Sequence, residues 1–148
     1  MIDRFGRFSY AMFEISRCWH KLAAEEMAKY DLRGPFAVYL LALYRSSEGL
    51  TAARLCELCG RDKADVSRAV GLMESKGLIA KQGSQYRAIL TLTEEGEQAA
   101  QHVCNRAAVA VEHAGKGFSD EHRAIFYEVL GTITENLQNL SRDGLPVE

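Results

Sequence analysis

Polar and apolar residues alternate along this chain in two rhythms, one helical and one extended. Between about Ser9 and Tyr30 the apolar positions Met12, Ile15, Trp19, Leu22 and Met27 lie close to one face of a helix, joined by Ala11, Cys18 and Ala23. Asp31-Leu32-Arg33-Gly34-Pro35 interrupts that rhythm, and Pro35 suits the first turn of a second helix, Phe36 to about Ser46. Nearly every residue of this second helix is apolar, which predicts a central rather than a surface position. Glu48-Gly49 ends it, and Thr51 is placed to cap a third helix whose Leu55, Leu58 and Cys59 are expected to turn inward. A fourth helix is predicted to open at Asp62, with Asp65 favourably placed in its first turn. Val66, Val70 and Met73 form its stripe to be buried, while Lys63, Ala64, Ser67 and Arg68 fall outside that stripe. Gly77, able to take positive φ, closes it.

The rhythm then turns extended. Leu78 and Ile79 begin a strand, Gln82-Gly83-Ser84-Gln85 is the predicted turn, and Ile89 to Leu92 is the return strand. Thr93 is placed to cap a long helix with Glu94, Glu95 and Glu97 at its positive end, running to Gly115-Lys116-Gly117. Ser119-Asp120-Glu121 starts a last helix. Its Phe126, Leu130, Ile133, Leu137 and Leu140 step by 4, 3, 4 and 3, a heptad-like seam. That seam and the apolar first helix exceed what one small lobe can cover, so the chain ends are expected to pair with a second copy. The tail after Leu140 is expected to be disordered. The predicted fold is mainly α with a small β-hairpin wing, a single domain over residues 1–148. Its lobe spans about 35–96, flanked by dimerisation helices at about 9–30 and 97–141.

Two successive helices followed by a hairpin wing form a DNA-reading device, with the second helix in the major groove and the wing on adjacent backbone. A net charge of −2 argues against nucleic acid until its distribution is considered. Arg61, Lys63, Arg68, Lys76, Lys81 and Arg87 face only Asp62, Asp65 and Glu74 within residues 61–87, a local +3 that leaves −5 for the remainder. A positive head on an acidic body concentrates phosphate attraction at the motif. The 148 residues suffice for a core without staples, and four cysteines do not suggest a disulfide scaffold. No apolar run reaches membrane-spanning length and Met1-Ile2-Asp3-Arg4 lacks a signal peptide's core, so a cytoplasmic protein with no membrane partner is expected.

These motifs together resemble the MarR family of winged helix-turn-helix transcriptional regulators. The resemblance rests on Leu50-Thr51, Leu55-Cys56, Asp62-Lys63-Ala64-Asp65-Val66-Ser67-Arg68, Lys76-Gly77-Leu78-Ile79 and Leu92-Thr93-Glu94-Glu95-Gly96, with Pro35 to Leu41 fitting the family's second helix. It implies a homodimer bound to duplex DNA, most commonly a repressor, reading a pseudo-palindrome with its two helices one turn apart, roughly 34–36 Å. Arg68 is the leading candidate for contact in the groove. Ser67, Lys63 and Arg61 are candidates for phosphates, Asp65 for a cytosine amino group or simply the helix N-terminus, and Ala64 lies among them. The wing departs from the family. Where members carry Asp-x-Arg, this chain has Ser84, Gln85 and Tyr86, leaving Arg87 or Lys81 as substitutes and Tyr86 to pack on sugar.

The resemblance also implies a signal. A small phenolic or lipophilic effector would find an aromatic wall in Trp19, Phe36 and Tyr39 with polar Arg17 and His20, unless these aromatics are plain core. Cys18 lies on the helix where peroxide-sensing relatives keep a reactive thiol, although a buried, inert thiol is the expectation. Cys56-Glu57-Leu58-Cys59 is a C-x-x-C without a second pair, which leaves a complete zinc site unsupported and favours core packing. No cofactor is implied. An enzyme finds no phosphate loop, nucleophile elbow or paired carboxylates in this sequence, and the remaining rival is a winged helix that binds only protein.

Overall fold

A computed structural model describes residues 2–84 and 87–146. The elements run α1 (Ile2–Met27), a 3-10 turn (Ala28–Tyr30), α2 (Phe36–Tyr44), β1 (Leu50–Thr51), α3 (Ala52–Cys59), α4 (Lys63–Ser75), β2 (Ile79–Gln82), β3 (Ile89–Leu92), α5 (Glu94–Ala114) and α6 (Asp120–Asp143). The fold is the expected mainly helical winged helix-turn-helix. Two compact units are distinguished, residues 1–108 and 109–148.

The first unit holds the core. Ala37, Tyr39, Leu40 and Leu43 of α2 pack with Leu55 of α3, with Val66, Ala69, Val70 and Met73 of α4, and with Ala99, Ala100 and Val103 of α5. The all-apolar α2 is therefore central, as its composition requires, and α4 buries the predicted stripe. Four helix starts follow from side-chain chemistry. Thr51 Oγ1 accepts from the Arg54 amide (3.2 Å), Asp62 Oδ1 from Asp65 (2.8 Å), Thr93 Oγ1 from Gly96 (3.1 Å) and Ser119 Oγ from His122 (3.2 Å). Each occupies one of the amide donors that a helix's first turn leaves without a partner.

The sheet has three antiparallel strands in the order β1-β3-β2, one more than the predicted hairpin. Leu50 pairs with Leu90 and Thr51 with Ile89, while Ile79 pairs with Leu92 and Gln82 with Ile89. Gly49 makes β1 feasible. Its φ is +80°, and a Cβ there would lie 2.6 Å from both the Leu90 carbonyl oxygen and Ile89 Cγ2. Gly96 allows another close approach, since a Cβ would meet the Leu78 carbonyl oxygen at 2.0 Å where α5 starts against β2.

Several expectations are corrected. α1 begins at Ile2, two turns before Ser9, running through Gly6 with an Arg7–Asp3 pair on its surface. Gln82 belongs to β2 as its last paired residue, so the connection to β3 spans 83–88 rather than a four-residue turn at 82–85. Leu58 is 51% exposed. With about 100° between successive residues, Leu55, Cys56 and Cys59 share the inward face of α3 and Leu58 lies well to one side of it. At the other end, α6 continues past Leu140 to Asp143, where the Gly144 amide donates to the Leu140 carbonyl (2.9 Å).

The second unit is the end of α5, a short turn and α6. Among its described residues no apolar side chain is fully buried. Phe126 and Leu137 of the seam are exposed, and Leu130, Ile133 and Leu140 are half-covered.

Candidate nucleic-acid interface

α3, the Gly60-Arg61-Asp62 turn and α4 form the helix-turn-helix. Gly60 is left-handed (φ +59°), and the Arg61 amide donates back to the Cys56 carbonyl (3.2 Å), which satisfies the end of α3 and aims the chain into α4. With Val66, Ala69, Val70 and Met73 turned to the core, Lys63, Ala64, Ser67, Arg68 and Gly71 share the opposite, exposed face. Gly71 has nothing within 4 Å of the position a Cβ would take, so its placement on this open face accounts for its tolerance in mid-helix.

The charges on this face are not equivalent. Arg68 is held by Asp65 one turn back, in an ion pair whose members are both largely exposed. Lys81 on the wing is held by Glu74 of α4 at 3.0 Å. Among the described residues, Arg61, Lys63, Lys76 and Arg87 have no carboxylate partner and carry the positive field outward. Lys76 was legible as charge but not as position: it is the exposed C-cap of α4. On the wing, the Arg87 amide donates to the Ser84 carbonyl (3.0 Å) and Arg87 itself is exposed. Tyr86 lies outside the described residues.

Beneath the turn, Tyr39 is 3% exposed, its ring edge-on to Phe36 with centroids 6.2 Å apart. Burial pushes its phenol pKa up, and the nearby Arg61 guanidinium partly offsets that. The other residues considered for an effector lie on α1. Trp19, Arg17 and His20 are exposed, with Arg17 bound to Glu14 (2.7 and 3.1 Å) and His20 Nδ1 lying 3.3 Å from Ser16 Oγ. Phe36 is half-buried and Tyr39 buried. Cys18 is exposed, against the expectation of a buried thiol, because α1 turns that face away from the core of its own chain. Cys56 and Cys59 are half-buried and pack on the core.

α1 is fixed to α5 by a cluster that sequence reading missed. Glu26 accepts from Lys29 (2.6 Å) and Arg106 (2.9 Å), and its carboxylate lies 2.7 Å from His102 Nε2. Lys29, then Arg106, then His102 hold the Glu26 carboxyl well below its ordinary range, at about 2. Residues 76 and 80 positions apart leave no local signal of such a cluster.

Comparison with known proteins now bears on this lobe. The MarR family model matches residues 30–87, the stretch from the end of the 3-10 turn to the wing. Residues 30–87, which hold most of the helix-turn-helix and its wing, are thus similar to the MarR family. No curated protein sequence matches it. Among solved structures, it is similar to a MarR transcriptional regulator from Methanosarcina mazei Go1, with 20% identity, TM-score 0.80 and 90% of each chain covered. A putative MarR family regulator from Listeria monocytogenes, complexed with a 26mer DNA, is 21% identical with TM-score 0.78, covering 94% of this chain and 96% of that one. A MarR family protein from Bacillus stearothermophilus is 20% identical with TM-score 0.79, covering 93% and 98%. At such identities these similarities establish the MarR fold, here reproduced over nearly the whole chain. Among the described residues, no helix is long and apolar enough to cross a membrane.

Proposed function

We propose that this chain is a transcriptional repressor that binds a pseudo-palindromic operator as a homodimer and is released by a small phenolic or lipophilic effector. The observation that carries the DNA-binding reading is the open face of α4. It presents Lys63, Ser67 and Arg68 at the capped end of a helix whose other side is locked into the core, with Arg61, which has no carboxylate partner among the described residues, at its entrance. A rigid helix with a cationic, exposed N-terminal half fits the major groove, while Arg87 on the wing reaches neighbouring backbone. The DNA complex of the Listeria relative supports the same use of this fold. Dimerisation is supported by the second unit, a 40-residue segment with no buried apolar side chain among its described residues. The effector reading is supported by the aromatic pair Phe36–Tyr39 beneath the reading unit, and by Trp19 on α1. The decisive experiment measures binding to the DNA flanking the protein's own coding region as salt is raised. Phosphate contacts require log Kd to weaken linearly with log salt; affinity indifferent to salt and to sequence removes the reading.

One observation favours a second, thiol-sensing reading: Cys18 is exposed, with an Arg17 guanidinium nitrogen 3.9 Å from its Sγ. Peroxide should then abolish operator binding by the native protein and spare a Cys18→Ser variant. Equal sensitivity of the two proteins assigns the signal elsewhere.

A further inference from the structure

The C-x-x-C of α3 has no part in the reading face, yet it places two thiols together. Cys56 and Cys59 are three residues apart on one helix, hence on one face, and both are half-buried against the core between α2 and α4. Cys59 Sγ lies 3.9 Å from the Val38 carbonyl oxygen of α2, so that thiol faces α2.

Side chains three apart on a helix have Cβ atoms about 5–6 Å from each other. A disulfide needs about 3.5–4.5 Å, so oxidising this pair would require α3 to deform. A metal ion bridging the two sulfurs relaxes that constraint, because each metal–sulfur bond contributes about 2.3 Å of reach. The ion's character follows from the donor set. Zinc wants four ligands, and among the described residues no group of three or more His, Cys, Asp and Glu is placed to hold a metal. Two soft thiolates without further ligands suit a soft monovalent ion. We propose that Cys56 and Cys59 form a two-coordinate site for a soft, thiophilic cation of the Cu(I) class. On binding, both thiols release their protons to solvent, two metal–sulfur bonds form and no electron is transferred. The resulting site carries one negative charge, which the neighbouring Arg61 guanidinium partly offsets.

The test uses the full-length protein with Cu(I) under anaerobic conditions, in competition with a chromophoric Cu(I) chelator. One tightly held ion per chain is expected, with X-ray absorption reporting sulfur scatterers and no nitrogen or oxygen shell. Losing a direct ligand should cost at least what losing an outer-shell partner does, about 100-fold in affinity, for Cys56→Ser and for Cys59→Ser alike. Cys18→Ser and Cys104→Ser should bind as the native protein does. Circular dichroism keeps the comparison to folded variants, and folding failure of one Ser variant leaves the other and the absorption spectrum to decide. Absence of binding, native affinity in a folded Cys56→Ser or Cys59→Ser protein, or loss in the Cys18→Ser or Cys104→Ser protein would overturn the proposal.

Discussion

Arg68 is where the reading face has to choose between partners. In the free protein it is paired with Asp65, but an exposed pair at this helical spacing contributes only about 0.3–0.5 kcal/mol. A good bidentate contact to a base edge discriminates by about 1–3 kcal/mol, so in the proposed complex Arg68 should leave Asp65 for a guanine. Replacing Arg68 by Ala should therefore weaken operator binding by about 1–3 kcal/mol and relax specificity at one position. Asp65→Asn should leave most of that energy in place, because its remaining duty as N-terminal partner is small. Lys63→Ala should act differently, weakening all sequences alike and lowering the salt slope by about one. Titrations of operator and scrambled duplexes at several salt concentrations separate the two kinds of contact. An Arg68→Ala protein that binds its operator like the native one would remove α4 from recognition.

Elements show what a sequence can and cannot declare. Gly71→Ala should stabilise the protein by about 0.5–1 kcal/mol, since α4 is helical through it and open space surrounds it. Gly96→Ala should destabilise by about 1–3 kcal/mol, since its methyl would run into the Leu78 carbonyl. Urea unfolding of both variants checks the opposite signs. The Glu26 tie makes a third prediction. Its folded pKa of about 2 lies below the ordinary 4.5, so its contribution is complete above pH 4.5 and is lost as pH falls toward 2. The gap in stability between native protein and Glu26→Gln should be largest near neutrality and close across that window; a gap independent of pH would mean the carboxylate charge is not what binds α1 to α5. Neither Gly96's close contact nor the Glu26 cluster is written in local pattern, because both depend on residues brought together from distant positions. The helix starts were legible because Thr51, Asp62, Thr93 and Ser119 each act on the amide three residues on. β1 was not: two residues are too few for a period to appear, and only Gly49 before them hinted at close packing. Leu58 misled because an apolar residue marks a preference rather than a direction, and α3 has only eight residues to set its inward face.

For the molecule as a whole, the question is what covers the chain ends. Phe5, Phe13, Ile15 and Trp19 of α1 are exposed, as are Ile125, Phe126, Val129 and Leu137 of α6. That is far more apolar side chain than isolated surface residues explain, and a self-complementary contact with a second copy is the simplest cover. A dimer also solves a problem of affinity. One reading helix with a few phosphate and base contacts binds weakly, whereas a second, held at fixed spacing, engages its half-site as an intramolecular event that multiplies affinity by about 10²–10⁴. Phe126→Glu places a charge in the seam and should convert the sedimenting species from dimer to monomer. The core of the first unit, which does not include Phe126, should keep its helical signal. Operator affinity should fall by a comparable factor of about 10²–10⁴ even though no residue of α4 has changed. Inserting half a helical turn of DNA between the half-sites should have the same effect on the native protein, because it rotates them onto opposite faces of the duplex. A native chain that sediments as a monomer, or a Phe126→Glu variant that binds undiminished, would mean that each lobe reads DNA alone and that the apolar ends serve another partner.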